Sequence, residues 1–134
     1  MKLLFICTGN TCRSPMAMCM ARHLGHEARS AGLFAAHEGT PASKYARAAM
    51  QRRGLSLSEH YSRPFTQTDL QWADLVICAT EAHRDILTAR YPWHAERIIA
   101  FNPPIPDPYG SDDDTYEHAA KMMENQLAAL RDKP

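Results

Sequence analysis

The sequence predicts a single α/β domain in three layers, a four-stranded parallel sheet flanked by helices, with an anion-binding loop directly after strand one. Three observations carry this. Short apolar runs alternate with stretches of helical period along all 134 residues, the order that yields parallel strands joined by crossover helices and covered on both faces. The first run, Leu3-Leu4-Phe5-Ile6, opens straight into Cys7-Thr-Gly-Asn-Thr-Cys-Arg-Ser-Pro15. After the last run, Asn102–Gly110 holds Pro103, Pro104, Pro106 and Pro108, which forces a loop. Ligands of open α/β sheets sit beyond the carboxyl ends of the strands, so both loops are expected at one edge.

Each element has its own signal. Lys2–Ile6 is a buried strand by length and apolar content. Ser14 reads as the N-cap of helix one, with Pro15 at its first position. Met16, Cys19, Met20 and Leu24 continue at helical spacing and Gly25 stops it. Glu27–Ala31 is a short strand before Gly32. A helix spans Ser43–Arg53 and Gly54 ends it; His60–Pro64 is irregular and Thr66–Trp72 is a short helix. Ala73–Ala79 is the next strand, Glu81 to about Ala89 a helix, and Arg97–Phe101 the last strand. Ser111 and Asp114 form a capping-box-like pair. Tyr116, Ala119, Ala120, Met123, Leu127 and Leu130 then mark one face of a terminal helix.

Composition narrows the function classes. Lys plus Arg and Asp plus Glu are 15 each, giving zero formal charge, so no basic excess points to nucleic acid or an anionic membrane. No apolar stretch approaches the roughly 18 residues of a membrane span. Only five apolar residues follow Lys2, short of a secretory core of about 7–15, and the expectation is a cytoplasmic protein. Cys7, Cys12, Cys19 and Cys78 are therefore expected as thiols. Their spacing, and that of seven scattered histidines, does not suit zinc, and no metal or other cofactor is expected. Asp112, Asp113 and Asp114 read as electrostatic support for the last helix. Cys19 and Cys78 read as core, the histidines as ordinary surface or packing residues, and Trp72 and Trp93 as packing or surface anchors.

The first loop has the residues for anion chemistry. Backbone N–H groups from Thr8 to Arg13 can curl into a nest, and the helix that follows adds positive potential. Gly9 is expected to permit a turn that a Cβ would obstruct. Arg13 offers a planar fork for two phosphate oxygens. The same field favours the thiolate of Cys7, a nucleophile set beside a phosphate cradle. A nucleotide P-loop needs Gly-x4-Gly-Lys-Ser/Thr, and no Lys is present here. Cys7 and Cys12 are too far apart for Cys-x-x-Cys.

The run Cys7-Thr-Gly-Asn-Thr-Cys-Arg-Ser-Pro-Met-Ala17 resembles the signature of the low-molecular-weight protein phosphatases. Arg29-Ser-Ala-Gly32, the helix near Ala46–Arg53, Ala73-Asp-Leu-Val-Ile-Cys78 and Asp107-Pro-Tyr-Gly110 follow in that family's order. The resemblance implies that Cys7 attacks phosphorus in line and forms a cysteinyl-phosphate. It gives the phosphate oxygens to Arg13 and to the loop Thr8, Gly9, Asn10, Thr11, Cys12, Arg13, Ser14. Ser14 would donate to the Cys7 thiolate, and Asn10 would brace the loop. Asp107, held stiffly between Pro106 and Pro108, would be the general acid and then the base that activates water. A phosphorylated protein is the implied substrate and inorganic phosphate the product. Cys12 is either a packing residue or, as the family implies, the partner of a reversible disulfide that protects Cys7 from over-oxidation.

Substrate choice turns on Thr11, Phe34 and Tyr109. Tyrosine-directed members of the family resemble one another in carrying Ile or Leu at the position of Thr11. They also often carry an aromatic residue where this chain has Ala36; Phe34 or His37 could substitute. Thr11 resembles the branch acting on protein phosphoarginine, and its hydroxyl can hydrogen-bond a guanidinium or the attacking water. Tyr109 could stack on a phenol or a guanidinium. Phosphoarginine is the favoured substrate and phosphotyrosine the alternative. Arsenate reductase is a remote third, because no second pair of cysteines lies beyond the loop. A non-enzymatic phosphate-binding module would need neither Cys7 nor Asp107.

Overall fold

The computed structural model describes residues 1–35 and 39–131. Four parallel strands, β1 (Lys2–Cys7), β2 (Glu27–Gly32), β3 (Leu75–Cys78) and β4 (Ile98–Ala100), stand in the order β2-β1-β3-β4. Between and after them come α1 (Arg13–His23), α2 (Lys44–Gln51), α3 (Gln67–Trp72), α4 (Glu81–Arg90), a 3₁₀ segment (Pro92–Arg97) and α5 (Asp113–Arg131). Central β1 explains its own composition. Leu3 and Phe5 enter the core shared with α1, α2 and α5, while Leu4 and Ile6 enter the one shared with α3 and α4. A strand covered on both faces has no polar side to alternate with.

Strand order reverses at β1, which pairs with β2 on one side and β3 on the other. A crevice opens at such a switch point beyond the strand ends, and the loop 8–12 fills it. Helix α5 is tied to the end of α2 by charge. Arg53 donates to Glu117 at 2.7 Å and to Glu124 at 3.0 Å, while Arg52 holds Asp113 and Glu117. Arg53 and Arg52 pull the Glu117 carboxyl down to about 2.

Several boundaries differ from the sequence expectation. Cys12, not Ser14, stands at the N-cap position of α1, and Ser14 lies inside the first turn with its hydroxyl turned to Cys7 and Asn10. Helix α5 is capped by Asp112, whose carboxylate accepts the Thr115 amide at 2.9 Å, in place of the Ser111–Asp114 pair. Helix α2 begins one residue later and ends two earlier than expected, with Ser43 accepting the Ala46 amide as its cap. Strands β3 and β4 are shorter than expected at both ends, and Pro92–Arg97 adds a helical turn the periodicity did not show.

Candidate active site

The loop is shaped by what its carbonyls do. Cys7 O accepts from Leu33 N at 3.0 Å, Thr8 O from Phe34 N at 3.0 Å and Thr11 O from Ser43 N at 2.9 Å. Asn10 O accepts from His60 Nε2 at 2.8 Å and Cys12 O from Met16 N at 3.2 Å. With the carbonyls drawn outward into the scaffold, the peptide units present their N–H groups to the other side. Among the described residues no acceptor takes the N–H of Thr8, Gly9, Asn10, Thr11 or Cys12. Backbone donors so arranged form a nest for an anion.

The turn itself corrects the expectation for Gly9. A Cβ there would meet nothing nearer than Thr11 Oγ1 at 3.9 Å. The left-handed residue is Asn10, with φ of 59°, and asparagine is among the side chains that tolerate this region. The glycine that must lack a side chain is Gly32, at the end of β2. A Cβ there would stand 2.8 Å from Thr8 O and 3.1 Å from Asn10 N, so the loop rests directly on the neighbouring strand's backbone.

Asn10 is fully buried and uses each polar atom. Its Nδ2 donates to Ser14 Oγ and Ser30 Oγ, both at 2.9 Å, and its Oδ1 accepts from Arg63 N at 3.0 Å. Ser14 Oγ lies 2.9 Å from Cys7 Sγ. Since Ser14 already accepts from an amide, its own hydrogen is available to the sulfur, and that bond stabilises a thiolate. Cys7 itself is only 3% exposed, at the floor of a cavity of about 210 Å³.

Arg13 and Asp107 close this cavity. Arg13 is buried, with Nη1 donating to Ile105 O at 3.0 Å and Nη2 to Thr8 Oγ1 at 3.4 Å. Asp107 Oδ2 stands 3.7 Å from Nη2, and its side chain is 54% exposed. Its other oxygen accepts the Tyr109 amide at 3.1 Å. Thr11 lines both this cavity and an outer groove of about 350 Å³. Phe34, 58% exposed, and Tyr109, 75% exposed, border the groove. Ala36 and His37 lie outside the described residues.

Cys12 is buried with its Sγ 3.3 Å from Tyr116 Oη and 3.5 Å from Ser43 Oγ, and all four cysteines are free thiols. Burial and the bond to Cys12 push the Tyr116 hydroxyl up to about 12. Cys78 lies in β3, where burial pushes its thiol up to about 12. Cys19 is half-buried on α1, with Ser56 O 3.5 Å away. Among the described residues no three His, Cys, Asp or Glu side chains converge as metal ligands.

Two histidines expected to be ordinary belong to this site instead. His60 donates to the loop as described, and burial pushes its pKa below the ordinary imidazole value. His83 Nε2 is 2.9 Å from Thr8 Oγ1. Ser30, Arg63, Gly32 and the Ile105 carbonyl were also missed by sequence reasoning. Only His83 had a usable signal: it sits three residues after Thr80 in the first turn of the helix that follows β3, at the switch point.

The chain matches the family described as low molecular weight phosphotyrosine protein phosphatase over residues 2–133. It is 32% identical to a protein-arginine-phosphatase of Geobacillus stearothermophilus, covering 98% of this chain and 95% of that one. A low molecular weight protein tyrosine phosphatase from T. tengcongensis superposes with a TM-score of 0.90 at 36% identity, covering 97% of each chain. A YwlE arginine phosphatase, solved as a cysteine-to-serine variant with its active-site serine phosphorylated, superposes with a TM-score of 0.91 at 28% identity. That match covers 98% of this chain and 93% of the other.

Proposed function

This chain belongs to the low molecular weight phosphotyrosine protein phosphatase family and is a cysteine-dependent protein phosphatase, and we propose that its substrate is phosphoarginine in proteins. Cys7 Sγ attacks phosphorus in line, the P–N bond breaks, and Asp107 delivers a proton to the departing guanidine nitrogen. The amides of Thr8–Arg13 and the Arg13 fork hold the equatorial oxygens, where the charge of the transition state collects. Water, deprotonated by the same Asp107, then attacks the cysteinyl-phosphate. Inorganic phosphate leaves and the Cys7 thiolate returns to its bond with Ser14.

The observation that carries the arginine reading is Thr11, whose side chain lies where the phosphate cavity meets the outer groove. A hydroxyl there can accept from a guanidinium N–H, which an aliphatic side chain cannot do. The likeness to the Geobacillus arginine phosphatase supports it. A second reading, phosphotyrosine, is favoured by the two exposed aromatic rings, Phe34 and Tyr109, which could flank a phenyl group.

The test is kcat/KM on a phosphoarginine and a phosphotyrosine peptide of one sequence, repeated with Thr11→Ile. An arginine preference that falls by about tenfold or more in the variant is expected, the scale of losing one hydrogen bond of roughly 1.4 kcal/mol. A tyrosine preference in the wild-type protein would overturn the arginine assignment and leave the phosphatase chemistry standing.

A further inference from the structure

Helix α4 begins one residue after Thr80, directly after β3, the strand beside β1. Thr80 caps the helix, its Oγ1 accepting the His83 amide at 3.4 Å. The same hydroxyl is 2.8 Å from His83 Nδ1, and His83 Nε2 is 2.9 Å from Thr8 Oγ1. Thr8 Oγ1 also takes a hydrogen from Arg13 Nη2 at 3.4 Å, and that nitrogen lies 3.7 Å from Asp107. A continuous chain therefore runs from Thr80 through His83, Thr8 and Arg13 to Asp107.

A guanidinium only donates, so Arg13 occupies one lone pair of Thr8 Oγ1. The second lone pair and the hydroxyl hydrogen of Thr8 both remain open to His83 Nε2, and Thr80 Oγ1 takes the complementary role at Nδ1. The ring is neutral in both tautomers, and in both it holds Thr8 Oγ1 with a lone pair turned to Arg13. Burial, with the Arg13 charge adding to it, moves the His83 pKa below the ordinary imidazole value, and the Asp107 charge opposes the shift.

We propose that His83 is a positioning residue for phosphoryl transfer, holding the Thr8 hydroxyl as an acceptor for Arg13 and so setting the angle of the fork that grips the phosphoryl group. The proposal rests on the reading of Arg13 as that clamp. His83 does not line the cavity above Cys7. Among the described residues two groups accept from the Arg13 side chain, Ile105 O and Thr8 Oγ1. If the second is lost, the guanidinium can pivot on its Ile105 bond towards Asp107. A loose transition state spreads its charge over the equatorial oxygens. A mis-set fork then costs more in the transition state than in the bound ground state, and the loss falls on kcat.

The experiment measures kcat and KM on an aryl phosphate for wild type, His83→Ala, His83→Gln, Thr8→Val and the double variant His83→Ala with Thr8→Val; Cys7→Ser is the blank. His83→Ala is expected to lower kcat roughly tenfold with KM within about twofold, a loss of orientation and not of binding. Thr8→Val should match it, and the double variant should be no worse than either single change, since each breaks the same link. His83→Gln should recover most of the rate, because its amide can stand near the place of Nε2 and bond Thr8 Oγ1 as acceptor or donor. Wild-type kcat in His83→Ala, or losses that multiply in the double variant, would overturn the proposal. So would a His83→Gln variant as slow as His83→Ala. If wild type turns over no faster than Cys7→Ser, the phosphatase reading itself fails, and the proposal with it.

Discussion

The two walls of the site are built by opposite rules. The inner wall, made of Cys7, Asn10, Arg13, Ser14 and Ser30, is buried, and each of these side chains is hydrogen-bonded to another group of the fold. The outer rim, made of Phe34, Asp107 and Tyr109, is exposed and has few partners. A buried polar network tolerates one arrangement, since any unmet donor or acceptor costs about 1–3 kcal/mol. The inner wall is therefore set before a substrate arrives. On the proposed function, the rim side chains gain their contacts from the substrate, with the phosphate recognised by the fold and the group carrying it by the surface.

Changes at the rim should cost rate and spare stability, and changes at the inner wall should cost both. The largest expected effect is at the rim. Asp107→Asn should lower kcat by at least about 100-fold on a phosphoester with a poor leaving group, the scale of general acid catalysis. Its loss should be smaller on a good leaving group, and its Tm should match wild type, because the carboxylate is half exposed. Equal losses on both substrates would remove Asp107 from the acid role.

Next in size is Asn10→Ala. It removes a partner from Ser14, Ser30 and the Arg63 amide, and it leaves a Cβ residue at a positive φ. A loss of roughly 3 kcal/mol in chemical denaturation is expected, together with reduced kcat. Unchanged stability would break the contrast between the walls.

The smallest effect is on pH. His60 and His83 are both held below the ordinary imidazole value of 6.5 by burial. Near neutral pH both are uncharged, folded or unfolded. As pH falls through about 6.5, the unfolded chain takes up protons that the folded chain resists, so stability decreases. Melting temperatures from pH 7.5 to 5.5 should fall, and less steeply in His60→Gln. Glu117 acts lower down: its stabilisation is present above the ordinary 4.5 and is lost as pH drops towards 2. A flat profile in wild type between 7.5 and 5.5 would show that the two rings titrate freely in the fold.

The layer order was legible because each strand run and helical stripe is local. Leu3–Ile6 could only be a doubly covered strand, and the run from Met16 to Leu24 could only be a helix. Element ends were less legible. Ser14 carries a capping residue's chemistry, but its hydroxyl is engaged by Cys7 and Asn10, and the helix starts at Arg13 instead. Gly9 looked like the obligatory glycine of the loop, while the space that forbids a side chain is at Gly32, because β2 lies under the loop.

By itself the sequence determined the α/β class and the edge at which the site lies, properties of short segments carried by period and turn residues. Its resemblance to the family proposed Cys7, Arg13 and Asp107 as nucleophile, clamp and acid. Only the tertiary structure decided which groups aim and hold them. Ser30, His60, Arg63, His83 and the Ile105 carbonyl come from four separate segments. Ser30 stands on β2 beside β1, the His60–Arg63 stretch is bridged to the end of β2 at Pro64, His83 follows β3, and Ile105 bonds Ala79 O just after β3. A hydrogen bond is fixed by distance in space, and spacing along the chain carries no trace of it until the sheet has assembled.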